Sequence, residues 1–279
     1  METPNMPPRA QPVRCIADVD QTVLAAVRSA TCEAGRIALR HFRGTHQHWE
    51  KSPGQIVTEV DLAIDAHLRR RLLALRPGAG WLSEETLDDG TRLTRAEVWV
   101  VDPIDGTRAF AAGDPEFTIC VGLLVAGRPA LAVVLNPATD ELFEARAGAG
   151  ARLNNRPITV SPVDRLAGAR IGISRTERRR AELLAALPEA QPLTIGSLAY
   201  KLALTAAGRL DGYVSLRRAH DWDLAAAELI LTEAGGVVSD AVGEPISYLQ
   251  PEPWRRGLVA APARLHPQLC AGIGEIARR

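Results

Sequence analysis

Between Gly80 and Ile158 the chain reads as one strand after another, and that run limits the fold more than any other feature. Segments 80–85, 98–102, 117–127, 130–137 and 141–148 are rich in β-branched residues and are separated by Gly, Pro and Asp turns. "GRPALA" and "PATDEL" have hairpin character, so a largely antiparallel first sheet is expected, with an Asn154-Asn155 turn inside 150–158. From about residue 160 strands and helices alternate. Strand 170–174 precedes helix 175–187, strand 192–195 precedes helix 197–208, and strand 211–216 precedes a helix opening near Asp223 and ending at Gly235-Gly236. Strands 236–240 and 257–261 and a last helix, 264–277, complete what reads as an α/β layer.

Two helices stand before the strands. The first, 16–43, carries Val19, Val23, Val27, Ala30, Ala34, Ile37 and Leu39 at helical spacing. A loop at 51–55 follows, then a helix that starts just after Thr58, near Asp61, and stops at Pro77-Gly78. Residues 1–14, with Pro4, Pro7, Pro8 and Pro12, read as a disordered tail. The expected division is therefore a tail, an α+β half over 15–160 and an α/β half over 161–279.

Composition narrows the function classes. Lys plus Arg and Asp plus Glu both total 33, so the net charge is zero and nothing points to a nucleic-acid polymer or a membrane as partner. Cys15, Cys32, Cys120 and Cys270 are scattered without a CxxC, which fits free thiols in a reducing cytoplasm. The first residues lack the apolar core of a signal peptide, and no apolar run is long enough to span a bilayer.

Four acidic clusters share one placement, at the end of a strand or the start of a helix. They are Asp61, the pair Glu84-Glu85, the pair Asp102/Asp105, and Asp223. Each has an ordinary reading: "DPIDG" as a turn, "SEET" as a helix cap, "DWD" as a cap beside a buried Trp. Their occurrence together favours a hard divalent cation, which takes oxygen ligands. Asp102 and Asp105 can face one cavity, with the Ile104 carbonyl between them as a further oxygen donor. The amides of Gly106 and Thr107 would then open a short helical turn suited to a phosphate. Metal ligands beside anion donors are what metal-assisted phosphate-ester hydrolysis requires.

"VTEVD" (57–61), "SEE" (83–85), "WVVDPIDGT" (99–107) and "WDLAAAELILTEAGG" (222–236) together resemble the inositol monophosphatase superfamily, in the family's order and over nearly the whole chain from about residue 20. The resemblance implies a layered αβαβα sandwich and a Mg²⁺-dependent, lithium-sensitive phosphomonoesterase with two or three Mg²⁺ ions. It implies Glu84, Asp102, Asp105 and Asp223 as metal ligands, with Ile104 ligating through its carbonyl. Thr107 with Asp61 would orient and deprotonate the metal-activated water. His220 lies near Asp223, but the family motif gives it no role.

The substrate is read from 196–223. Where inositol-selective members carry an acidic residue, this chain has Ser215, followed by Arg217 and Arg218. "SLAYKLALTAAG", which begins at Ser197, and "GTRAF…EFT" (106–118) look more similar to bacterial 3'(2'),5'-bisphosphate nucleotidases. The expected substrate is thus a small soluble phosphate ester, foremost adenosine 3',5'-bisphosphate, with Gly106, Thr107, Ser197, Ser215, Arg217 and Arg218 around it. An inositol or other polyol phosphate is the alternative. An inactive metal-binding paralogue is a further one, although every ligand position is filled. A homodimer is the candidate assembly.

Overall fold

The computed structural model of the chain describes residues 19–44, 46–52, 55–177 and 179–278. The tail expected at 1–14, the start expected for the first helix at 16, and Cys15 lie outside the described residues. Helix α1 (Gln21–His41) starts at Asp20, whose carboxylate accepts from the amides of Thr22 and Val23. Of the segment read as a loop at 51–55, the described residues belong to two antiparallel strands, β1 (His48–Ser52) and β2 (Gln55–Thr58). Its strands escaped notice because neither shows an alternating apolar pattern. Helix α2 (Glu59–Leu75) begins two residues earlier than Asp61. Thr58 is its N-cap, and Asp61 closes a capping box by accepting from the Thr58 amide at 2.9 Å.

The larger sheet runs β3 (Gly80–Ser83), β4 (Glu97–Asp105), β5 (Thr118–Val125), β6 (Arg128–Asn136), β7 (Glu141–Arg146), β8 (Ala151–Leu153), β9 (Arg156–Pro157) in spatial as in chain order. Every neighbour is antiparallel except β3 against β4. Short helix α3 (Thr107–Ala111) follows β4 directly. Five strands make the smaller sheet: β10 (Arg170–Ser174), β11 (Gln191–Ile195), β12 (Gly212–His220), β13 (Gly236–Ser239) and β14 (Trp254–Pro262), in the order β11-β10-β12-β14-β13. Its helices are α4 (Arg180–Ala186), α5 (Leu198–Ala206), α6 (Asp221–Glu233) and α7 (His266–Ala277). Helix α4 starts later than the 175 expected.

Strand alternation sorts the side chains into layers. On β4, Trp99 and Val101 pack with α1 and α2 on one face of the larger sheet. Val98 and Val100 face the other way, into a core shared with α5, α6 and the smaller sheet. On the far side of the smaller sheet, Ile171, Val214 and Val259 pack with Leu183 of α4 and Leu269 of α7. The layers run α, β, α, β, α, as the resemblance implied. Burial of these faces, at about 25 cal/mol per Å² of apolar surface, is the main force holding them together.

Candidate active site

Asp102 and Asp105 are three residues apart, so in a regular strand their side chains would point to opposite faces. The register with β5 breaks between them: Asp102 pairs with Cys120, but Asp105 pairs with Thr118. Three steps on β4 match two on β5, which is a β-bulge, and it turns both carboxylates toward one side. Pro103 has no N–H to give the ladder, so it fits this break. The Ile104 amide donates to Asp102 Oδ1 at 3.0 Å, leaving the Ile104 carbonyl for the Thr107 hydroxyl, also at 3.0 Å. Gly106 has φ +99°, and a Cβ there would stand 2.9 Å from the Glu116 carbonyl, so the step from β4 into α3 needs glycine.

Other elements bring the remaining carboxylates. Glu84 follows β3, the parallel neighbour of β4. Asp223 sits in the first turn of α6, where its carboxylate accepts from the His220 amide at 3.3 Å. Oxygens of Glu84, Asp102 and Asp223 all lie within 4.8 Å of one another. Asp102 is 1% exposed, and its Oδ2 is buried with no donor facing it. Burial, then Glu84, Asp105 and Asp223, push the Asp102 carboxyl well above the usual range. Burial and Asp223 push Asp105 up to about 7, and burial and Asp223 raise Glu84 to about 7, against the pull of Lys51. A donor set of clustered oxygens that cannot all ionise together is what a divalent cation neutralises, so the residues fit Mg²⁺.

Asp105 is held from below. Its Oδ2 accepts from the Ser197 hydroxyl and, at 2.6 Å, from the Ala199 amide at the start of α5. Ser197 is therefore buried beneath Asp105 and does not line the cleft. Lys201, fully buried, fixes this turn by donating to the carbonyls of Ile195, Gly196 and Ser197 at 3.1, 2.7 and 2.6 Å. Asp61 serves two purposes: Oδ2 caps α2, and Oδ1 accepts from the Thr107 hydroxyl at 3.3 Å. Burial raises its carboxyl to about 6.

Lys51, on the β1–β2 hairpin, donates to Glu84 at 2.8 Å and to Glu85 at 2.6 Å. Sequence reading missed this residue, and only the recognition of β1 as a strand could have brought it near the carboxylates. The cleft above them has a volume of about 360 Å³. Glu84, Asp105, Gly106, Thr107 and Asp223 line its floor, and Ser215, Arg175, Arg217 and Arg218 are also part of its lining. Arg175 bridges Asp114 and Glu116 at 2.6 and 2.7 Å, joining the chain after α3 to the chain after β10. Arg217 is tied to the Thr176 hydroxyl, and Arg218 lies 4.0 Å over the Trp254 ring. The Ser215 hydroxyl donates to Glu177, another residue missed, and accepts from the Arg217 amide. His220 stacks parallel on Trp222 at 4.6 Å.

Among the described residues no helix is long and apolar enough to cross a membrane. A family model described as the inositol monophosphatase family matches residues 18–278. The chain is 37% identical to an inositol-1-monophosphatase of Rhizobium meliloti over 79% of its own length and 86% of the relative's. It is 34% identical to the Nus factor SuhB of Vibrio cholerae over 71% and 76%. Among solved structures it is similar to the extragenic suppressor protein suhB of Bartonella henselae, with TM-score 0.82 and 28% identity over 91% of this chain and 98% of that one. An IMPase of Thermotoga maritima shares the fold, with TM-score 0.83 at 24% identity over 93% and 99%. With motif order, layer architecture and near-complete coverage in agreement, the chain belongs to the inositol monophosphatase family and is a phosphatase.

Proposed function

We propose that the protein is a Mg²⁺-dependent phosphomonoesterase of the cytoplasm, acting on a small soluble ester that carries a second anionic group, such as adenosine 3',5'-bisphosphate. The observation that carries the metal assignment is the convergence of oxygens of Glu84, Asp102 and Asp223 within 4.8 Å of one another, together with a buried Asp102 oxygen that no donor faces. Asp105 and the Ile104 carbonyl complete the proposed ligand set for two or three ions. Bound Mg²⁺ supplies a nucleophilic water at neutral pH and neutralises charge on the phosphoryl group. Thr107 has a single hydroxyl proton, and its acceptors are the Ile104 carbonyl and Asp61. With that proton directed at Asp61, its oxygen accepts from the attacking water and orients it. Asp61, with its carboxyl near 6, then takes the proton through Thr107. No histidine base is needed.

The substrate reading rests on the cleft wall. Arg175, Arg217 and Arg218 line it, and Ser215 stands there in place of an acid. Guanidinium groups favour a second phosphate through charge-assisted hydrogen bonds. Inositol 1-phosphate is the second reading, favoured by the name of the Rhizobium meliloti relative. Phosphate release from adenosine 3',5'-bisphosphate, inositol 1-phosphate, fructose 1,6-bisphosphate and histidinol phosphate, each with Mg²⁺ and with EDTA, tests both parts. Release that persists in EDTA refutes the metal assignment, and a tenfold preference for inositol 1-phosphate refutes the substrate reading alone.

A further inference from the structure

A second cavity of about 240 Å³ opens on the α4–α7 side of the smaller sheet, lined by Arg179, Leu216, Arg218, Ala241, Arg256 and Ala277. Half of its lining residues are arginines and none is acidic. The register of β12 with β14 sets Arg218 directly opposite Arg256. Like charges so placed repel across a sheet. The same register breaks between Ser215 and Arg218, and Gly257 sits beside the break at φ +72°. A Cβ at Gly257 would stand 2.5 Å from that of Ala241, so this bulge is built for glycine. Arg218 lies over the Trp254 ring, and Arg256 is exposed. Neither has a carboxylate partner among the described residues. On the opposite wall Arg179 is held by both oxygens of Glu182 and by the Ile276 carbonyl. The acids near this cluster, Glu182 and Glu177, act on Arg179, so among the described residues the facing pair Arg218 and Arg256 has no carboxylate bound to it.

We infer that this cavity binds a small multivalent oxyanion of the phosphate type, either the free ion or the phosphate group of a phosphorylated metabolite. Arginine forks match such oxygens in geometry and charge. The volume lies below the ~300 Å³ at which pockets for larger organic ligands begin. An anion there would also remove the repulsion between Arg218 and Arg256. The site is distinct from the catalytic cleft, although Arg218 lines both. Arg256, which lines this cavity alone, is therefore the diagnostic residue.

Isothermal titration with inorganic phosphate in EDTA tests the inference, because the metal-free acidic centre repels anions. The wild-type protein is expected to bind one phosphate, more weakly as NaCl is added. Arg256→Ala should bind roughly tenfold more weakly, the loss of one charge-assisted contact. Arg217→Ala, which alters the cleft only, should bind as the wild type does. An unchanged melting temperature in phosphate-free buffer confirms that Arg256→Ala is folded. A parallel titration with glycerol 2-phosphate separates the sources: equal or tighter binding assigns the site to a phosphorylated metabolite, and much weaker binding assigns it to the free ion. Absence of phosphate binding by the wild type overturns the inference. So does equal binding by Arg256→Ala, or a loss confined to Arg217→Ala.

Discussion

Asp105→Asn should remove turnover without unfolding the protein, and the hydrogen bonds around Asp105 set the size of the effect. The Ala199 amide can only donate, and it faces Oδ2 at 2.6 Å. An asparagine must therefore turn its carbonyl oxygen toward Ala199, and its NH₂ group takes the place of Oδ1, the oxygen free to meet a cation. If Asp105 belongs to the proposed ligand set, the variant loses a ligand charge and would present a donor to Mg²⁺. Loss at a ligand or its support costs about 10- to 100-fold in affinity or activity. With the misdirected donor added, we expect a fall in kcat/KM on the order of 10²-fold or more. The fold should survive, because the change removes a buried charge that Asp223 opposes. Metal linkage makes this measurable without turnover. At [Mg²⁺] of 100 times Kd the wild type gains about 2.7 kcal/mol, roughly 5–10 °C in Tm for a chain of this size. A 100-fold weaker site gains only about 0.4 kcal/mol, roughly 1 °C. Phosphate release and a Mg²⁺ thermal-shift titration are read together. Near-normal turnover at saturating Mg²⁺, with the full wild-type shift, would remove Asp105 from the ligand set.

Thr107→Ala should lower kcat far more than it raises KM, since orientation of the water matters in the transition state; steady-state kinetics showing a KM effect alone would reassign Thr107 to substrate binding. Arg217→Ala combined with Arg218→Ala should erode the preference for a bisphosphate by roughly 10- to 150-fold while sparing a monophosphate, from about 1.5–3 kcal/mol per lost charge-assisted contact; equal losses on both substrates would contradict this. Glu228, on α6, accepts from the Tyr248 hydroxyl, and burial pushes its carboxyl up to about 7. Between the ordinary value of 4.5 and about 7 the folded state keeps a proton that the unfolded state has lost, so stability falls as pH rises through that window. The loss is about 1–3 kcal/mol, the lower end allowing for partial exposure of the side chain. Glu228→Gln should be correspondingly less sensitive to pH than the wild type in urea denaturation at pH 5 and pH 7.5, and identical slopes would exclude Glu228 as the source.

What could be read from the sequence was what is written locally. The apolar run ending in Asp102, the hairpin turns before Ala130 and Glu141, and the helix opening beside Asp223 each follow from a few consecutive residues. The bulge between Asp102 and Asp105 is also local, through Pro103, although its partner Thr118 is not. Contacts between distant segments were not legible. Lys51 reaches Glu84 and Glu85 only because it lies on β1 of the β1–β2 hairpin, whose short strands leave no alternating apolar period to detect. Lys201 is a polar position on a largely apolar helix, and nothing in its neighbours along the chain marks it. Its burial under the turn that holds Asp105 depends on the packing of α5 between the two sheets.

Ser215 shows the same limit where specificity is concerned. The serine at position 215 is a fact of the sequence, and the resemblance implies an acid there in inositol-selective members; yet Glu177 approaches from the chain after β10 and accepts from the Ser215 hydroxyl at 2.8 Å. The question is whether Glu177 restores an acidic wall for ring hydroxyls. Its Oε2 already accepts two hydrogen bonds, from Ser215 and from the Leu216 amide, and Glu177 is buried and does not line the cavity. Its charge is therefore spent within the protein, on the turn that carries Arg217. On the proposed substrate reading, a second phosphate would then meet Ser215 and the guanidinium groups of the cleft lining rather than an acid. Glu177→Gln gives the discriminating result. If Glu177 shapes the turn, the variant weakens the bisphosphate preference together with turn order; if it acts as the missing acid, the variant lowers activity on inositol 1-phosphate alone.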